Sequence, residues 1–174
     1  TSRASRADNP DYKHGWGVIR LGSLPSSITA IRGHWAEEAV DWAFTAGITD
    51  RCPTLGELTC PELAVTRDEM AWFLWRFQGT QLATVAAEFD DVAVDATYSP
   101  AVDWLAETGI TNGCTTTTSC PAGTVTRAEM AAFLWRLEGS PVGSPAAGFS
   151  DVPTDHFAGP AIDWLLESGT TTGC

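Results

Sequence analysis

The chain has 174 residues, of which 44% are hydrophobic and eight are tryptophan, a composition typical of packed globular proteins rather than disordered ones. Its 22 acidic and 10 basic residues give a net charge of −12, which disfavours binding to nucleic acids and to anionic membranes. No apolar run approaches the roughly 20 residues that a transmembrane helix needs, so insertion into a membrane is not expected.

The first 33 residues resemble nothing later in the chain. Residues 1–15 are polar, and residues 16–31 contain short apolar runs interrupted by Gly and Pro. Such a composition is typical of a lead or linker segment. We predict an N-terminal segment over 1–33, without an assigned function, followed by a repeat domain over 34–174.

An internal repeat organises the rest of the chain. The stretch VTRDEMAWFLWRFQG, residues 65–79, returns as VTRAEMAAFLWRLEG, residues 125–139. Trp42, Trp104 and Trp164 keep the same register, with spacings of 62 and 60 residues. Self-similarity at a fixed period predicts stacked structural repeats. The repeats extend over about 34–79, 89–139 and 149–174, and the third is incomplete.

Each repeat is predicted to form a helix, a loop and a second helix. In repeat two, Ser99 is the expected N-cap, Pro100 the first helical residue and Gly109 the C-terminal glycine. The second helix of repeat one has an apolar face with i, i+3, i+4, i+7 spacing. That face comprises Met70, Phe73, Leu74 and Phe77. No useful alternation of period two occurs, so the predicted fold class is all-α.

The cysteines fall at repeated positions: Cys52, Cys60, Cys114, Cys120 and Cys174. Zinc would need a CxxC pair or suitably spaced histidines, and the chain has neither, so no metal site is predicted. Two local disulfides, Cys52–Cys60 and Cys114–Cys120, are the better interpretation and place the protein in an oxidising compartment. Cys174 aligns with the first member of each pair, and we expect it to be unpaired or bonded to another chain.

The second helix of each complete repeat begins with Thr-Arg-x-Glu. The Thr and Glu form a predicted capping box, which explains both residue types. Arg67 and Arg127 are not explained, because a cation is unfavourable at the positive end of the helix dipole. A structural role and a grip on a partner's carboxylate both remain open for these arginines.

Several motifs, in order, resemble the S-layer homology family of cell-wall-binding repeats. They are FDDV with SPAVDWL and ETGITNG, FSDVPTDHF with GPAIDWL and ESGTTTG, and the two VTR[DA]EMA helices. The resemblance covers about residues 34–174 and implies a pseudo-threefold spindle, here with its third repeat incomplete. The cysteine-closed loops depart from the general family pattern and indicate a disulfide-containing variant.

The resemblance also implies a function. Family members bind secondary cell-wall polysaccharide, often pyruvylated, in grooves between repeats, so we expect a non-catalytic anchoring module that is secreted or attached to the cell surface. The expected partner is bacterial cell-wall polysaccharide, with the protein itself or a fused upstream domain as further partners. When the family's binding positions are carried over to this sequence, Arg67 and Arg127 are expected to bind an acid group of the glycan, together with Asp91 and Asp151 of the F-x-D-V motifs. Trp35 is expected to offer a flat face to a sugar ring. Gly113 is expected where the chain approaches the glycan closely.

Two other classes of function compete with anchoring. A structural surface or filament protein that associates with itself is the alternative, with a neighbouring subunit completing the helical bundle. An enzyme is not expected, because no GxSxG, HExxH or glycine-rich phosphate loop is present, and no cofactor is predicted.

Simple structural roles are expected for the remaining conspicuous residues. Asp90, Asp91 and Asp95 lack the glycine turn and closing glutamate of a calcium loop, so turn capping is the preferred interpretation. The tryptophans of the first helices are expected in the core. The aspartates that precede them are expected to be solvated: Asp41, Asp103 and Asp163.

Overall fold

The computed structural model describes residues 31–49 and 60–173, which form five α-helices. These are α1 Glu37–Thr45, α2 Arg67–Phe77, α3 Ser99–Glu107, α4 Arg127–Leu137 and α5 Gly159–Glu167. This part of the chain contains no strand, although an isolated antiparallel bridge joins Thr66 and Thr124. The all-α prediction is confirmed. None of the described helices has both the length and the apolar character required to cross a bilayer.

The described residues belong to two compact units. The first unit contains residues 31–49 and 60–126, and the second contains residues 127–173. In the first unit α2 packs on α3, and in the second α4 packs on α5. Each packed pair therefore joins the second helix of one sequence repeat to the first helix of the next.

The helix ends follow local sequence signals, with one shift. The predicted N-cap role of Ser99 is wrong, because α3 already begins at Ser99 and Tyr98 occupies the N-cap position. Pro100 still lies in the first turn, where a missing amide proton costs no helical hydrogen bond. The Ser99 hydroxyl donates instead to the carbonyl of Val94, at 3.3 Å. Gly109 follows α3 with a φ of +72°, which confirms the predicted C-terminal glycine.

The core of the first unit lies between α2 and α3. Met70 and Leu74 of the predicted apolar face are buried, whereas Phe73 and Phe77 are half-buried. Trp104 is 6% exposed, as expected for a core residue. Complete burial of a large apolar side chain contributes about 1.5–3 kcal/mol, so these contacts stabilise the pair. The second unit has an equivalent cluster of Ala131, Ala161 and Leu165, with Leu134, Trp135, Ile162 and Trp164 packed against it.

The linker between α2 and α3 is attached to the packed pair at both ends. The indole Nε1 of Trp75 donates to the carbonyl of Gln81 at 2.6 Å. Sixteen residues before Asp103, the amide of Ala87 donates to the Asp103 carboxylate at 2.8 Å. The linker is therefore held by the two helices that it connects.

The second unit repeats this arrangement. Trp135 Nε1 donates to the carbonyl of Pro141 at 2.8 Å, and the amide of Ala147 donates to Asp163 at 2.7 Å. The expectation that Asp103 and Asp163 are merely solvated is wrong, because each binds the backbone of the preceding linker. The equivalent Asp41 has one buried carboxylate oxygen with no hydrogen-bond partner among the described residues.

Candidate functional site

A disulfide-closed loop of repeat two packs on the start of α2, which belongs to repeat one, inside the first unit. The predicted Cys114–Cys120 disulfide is confirmed, with a sequence separation of six residues. The amide of Cys114 also donates across the loop to the carbonyl of Thr118, at 2.8 Å. Cys60 is disulfide-bonded. Cys52 and Cys174 lie outside the described residues, so the Cys52–Cys60 pairing and the state of Cys174 stay predictions.

Asp91 of the F-D-D-V motif caps this loop. Its Oδ1 accepts the amide of Ser119 at 2.8 Å, and its Oδ2 accepts the amide of Cys120 at 2.7 Å. Hydrogen bonds from backbone amides to a carboxylate are charge-assisted and stronger than neutral ones. Because both oxygens are used, the carboxylate fixes the direction of the loop where it leaves the disulfide.

The same loop covers Arg67. The Arg67 side chain is 8% exposed, and its Nε donates to the carbonyl of Ser119 at 2.8 Å. The first-turn amides of α2 are covered as well, because Arg67 N donates to Gly123 O at 2.9 Å and Asp68 N to Pro121 O at 3.1 Å. Helix N-termini carry such unsatisfied amides. Arg67 thus has a structural role, in which it joins α2 to the loop of the next repeat.

The predicted capping box is present at the start of α2. Glu69 Oε2 accepts the amide of Thr66 at 2.9 Å. Immediately before it, the amide of Val125 donates to the carbonyl of Val65 at 2.9 Å. The helix start is therefore held both by its own side chains and by the segment that follows the disulfide loop.

Gly113 is required by packing within the first unit. Its φ is +78°, and a Cβ at this position would lie 2.5 Å from the carbonyl oxygen of Thr118 and 2.8 Å from Phe89 Cε1. Any larger residue would therefore displace the loop or Phe89. The close approach predicted at this glycine is to the protein's own chain, and a contact with glycan stays a prediction.

Arg127 and Asp151 have a different environment from their counterparts in the first unit. Both are exposed, and neither makes a hydrogen bond or an ion pair with another of the residues that the structure describes. Arg127 is thus exposed among the described residues, whereas Arg67 is covered.

Trp35 stands in a separate group of residues in the first unit. Its side chain is 91% exposed, and its ring centroid lies 5.5 Å from that of His34. His34 Nδ1 accepts the amide of Ala36 at 3.1 Å, so the ring proton is assigned to Nε2, which donates to Glu62 Oε1 at 2.6 Å. The described contacts do not link Trp35 to Arg67 or to Asp91.

The structure thus brings together two of the predicted site residues, Arg67 and Asp91, which meet on Ser119. Sequence reasoning missed Ser119 because its backbone, not its side chain, makes both contacts. It also missed His34 and Glu62, whose hydrogen bond spans 28 residues of sequence. A contact between residues so far apart leaves no local pattern.

Residues 88–131 match the sequence model of the S-layer homology domain. This segment of the chain is similar to an S-layer homology domain. The matched segment includes Asp91, Gly113, the disulfide loop and Arg127, whereas Trp35, Arg67 and Asp151 lie outside it. The predicted resemblance to this family is confirmed over the matched residues. No curated protein matches the chain.

Proposed function

We propose that the protein is secreted and anchors itself, or a partner joined to it, to the bacterial cell envelope by binding cell-wall polysaccharide without catalysis. The S-layer homology domain supports anchoring in general. The observation that carries the polysaccharide assignment is the exposed guanidinium of Arg127, within the matched segment and without a partner among the described residues.

Under this proposal, the equivalent arginines of repeats one and two have different roles. Arg67 serves the fold, because its side chain is buried and donates to Ser119. Arg127 presents a planar fork of donors, which suits a carboxylate substituent on a sugar. The polysaccharide recognised by Arg127 is therefore one that carries acid groups, such as pyruvyl ketals.

Long-range electrostatics does not assist this encounter. A protein with a net charge of −12 repels an acidic polymer at a distance. Recognition must then depend on short-range contacts at the arginine rather than on a general positive surface. Removal of this one cation should consequently have a large effect on binding.

The test measures co-sedimentation of the oxidised protein with purified bacterial cell walls that retain their secondary polymer. We expect Arg127→Ala to weaken binding by at least about tenfold, which corresponds to the loss of one hydrogen-bonded charge pair. Arg136→Ala is the matched control, because it removes the same charge from the last turn of the same helix. Wild-type binding by Arg127→Ala would exclude the arginine assignment, and failure of the unmodified protein to bind cell walls would exclude the function.

A further inference from the structure

Asn112 and Gly113 form a short segment between α3 and the disulfide loop. The Asn112 side chain is exposed, and none of the hydrogen bonds described for residues 31–49 and 60–173 involves it. The amide of Gly113 donates to the hydroxyl of Thr111 at 3.2 Å, which is the long end of the range for such a bond. A free carboxamide therefore precedes a backbone nitrogen that is only weakly engaged.

The fold does not explain an asparagine at position 112. The equivalent turn of repeat three has Thr172, which is also exposed, followed by Gly173. There the amide of Gly173 donates to Thr171 Oγ1 at 3.3 Å, as the amide of Gly113 does in repeat two. Both glycines have a positive φ, +78° for Gly113 and +88° for Gly173. Because threonine serves in the same turn, the local structure does not require the carboxamide of Asn112.

The carboxamide of Asn112 and the nitrogen of Gly113 are the two groups that react in intramolecular deamidation. Glycine has no Cβ to hinder the approach of its nitrogen to the preceding side chain. The Gly113 nitrogen attacks Cγ of Asn112, a new C–N bond closes a cyclic succinimide, and the bond from Cγ to Nδ2 breaks. Ammonia leaves and takes the proton of the Gly113 amide.

Water then opens the succinimide in one of two ways. Hydrolysis of the bond between Cγ and the Gly113 nitrogen gives aspartate at position 112. Hydrolysis of the bond between the main-chain carbonyl carbon and the same nitrogen gives isoaspartate. Water is the only reagent consumed. The other asparagine of the chain, Asn9, precedes Pro10, whose nitrogen carries no proton, so Asn9 cannot react in this way.

The isoaspartate product does not fit the packing around Gly113. Its main chain runs through Cβ and Cγ of residue 112, which inserts one further C–C bond of about 1.5 Å. Gly113 has little room to move, because even an added Cβ would lie 2.5 Å from the carbonyl oxygen of Thr118 and 2.8 Å from Phe89 Cε1. On the other side, the disulfide fixes Cys114 to Cys120. The inserted bond therefore strains the disulfide loop.

A displaced loop changes the surroundings of Arg67. The amide of Cys114 donates to the carbonyl of Thr118 at 2.8 Å, and the next carbonyl, that of Ser119, accepts Arg67 Nε at 2.8 Å. A shift at Cys114 breaks the first of these hydrogen bonds and moves the acceptor of the second. The cover over the start of α2 is then weakened.

We infer that Asn112 is a site of spontaneous deamidation and that its isoaspartate product opens the disulfide loop. This inference goes beyond the proposed function and does not depend on it. The modification is irreversible without a repair enzyme, because ammonia is lost. It produces a chain that differs from the translated sequence at one residue of the loop boundary.

The test incubates the oxidised full chain in a mildly alkaline buffer, with a linear peptide of residues 106–113 as the reference. Both are then digested under acidic conditions, which halt the reaction, and the fragments are measured by mass spectrometry. We expect the fragment with Asn112 to gain the mass difference between a hydroxyl and an amino group. It should also become a substrate for isoaspartyl methyltransferase. An Asn112 that stays unmodified after the peptide has fully converted would overturn the site.

Two variants and one internal residue provide the controls. Asn112→Thr copies the turn of repeat three, so it should keep the loop and gain no mass. Asn9 should stay unmodified in the same incubation. Asn112→Asp carries the charge of the products on an unaltered main chain, and it separates the effect of charge from that of the inserted bond.

Amide hydrogen exchange of the isolated isoaspartyl form tests the effect on the loop. The amides of Ser119 and Cys120 should exchange at least about tenfold faster in this form than in Asn112→Thr and Asn112→Asp, while α3 keeps its protection. Equal protection in the three forms would overturn the opening of the loop. Exchange that is equally fast in Asn112→Asp would assign the effect to charge and overturn the role of the inserted bond.

Discussion

The repeat offers a matched pair of aspartates with which to test how the disulfide loop is held. Asp91 accepts the amides of Ser119 and Cys120, whereas the equivalent Asp151 makes no hydrogen bond with other described residues. Asp91→Ala removes both hydrogen bonds and leaves two amides without their acceptor. Asp151→Ala removes the same side chain without these losses.

The magnitude follows from the two hydrogen bonds. A hydrogen bond to a charged group contributes about 1.5–3 kcal/mol, but Asp91 is exposed, and solvent reduces the value towards about 1 kcal/mol for each. We therefore expect Asp91→Ala to lower the free energy of unfolding by about 2 kcal/mol. A surface substitution without specific partners changes it by less than about 0.5 kcal/mol, which is the expectation for Asp151→Ala.

The assay combines urea unfolding with amide hydrogen exchange of the oxidised protein. With an m-value of about 2 kcal/mol/M, the unfolding midpoint of Asp91→Ala should fall by about 1 M urea. The amides of Ser119 and Cys120 should lose protection in this variant before the amides of α3 do. Equal effects of Asp91→Ala and Asp151→Ala, or retained protection at Ser119 and Cys120, would refute the capping role.

Three further expectations test the same part of the molecule and its linker. Arg67→Ala should lower the free energy of unfolding by about 2–3 kcal/mol, because it leaves the carbonyl of Ser119 without its side-chain donor. Arg127→Ala should be nearly neutral in the same urea titration. Reduction of the loop disulfide should cost about 2 kcal/mol by loop-closure entropy, and exchange at Ser119 before and after reduction measures whether the loop opens locally. The hydroxyl and the amide of Thr84 donate to Glu107 and hold the pKa of its carboxyl below the ordinary value of 4.5. These hydrogen bonds therefore stabilise the folded state above pH 4.5, and this contribution is lost as the pH falls through the lowered pKa of Glu107. The NMR signal of the Thr84 amide should shift as this hydrogen bond is lost in an acid titration. In the Glu107→Gln variant, the position of this signal should no longer depend on pH in that range.

The helices themselves were predictable because their signals are local. Capping at Thr66 and Glu69 and the terminal glycine at Gly109 involve residues a few positions apart. The one error in these signals, the N-cap at Ser99, is a shift of a single residue. Helix boundaries depend on small energy differences, so a shift of this size is expected.

The site was less predictable because its environment depends on contacts between distant residues. Arg67 and Arg127 lie in nearly identical sequences, yet one is buried and the other is exposed. Arg67 is buried because its Nε donates to the carbonyl of Ser119, which lies 52 residues later in the sequence. Likewise, the sequence around Asp103 is that of a solvated surface residue, and only the fold brings the Ala87 amide beside it. No pattern within a single repeat encodes these contacts.

The offset between sequence repeats and packed helix pairs has a consequence for how the molecule can be divided. A cut after Gly79, where a sequence repeat ends, would separate α2 from α3 and sever the linker that both helices hold. A cut after Thr126 would keep α2, α3 and the loop that covers Arg67 in one piece. The smallest transferable module therefore starts in the middle of one repeat and ends in the middle of the next.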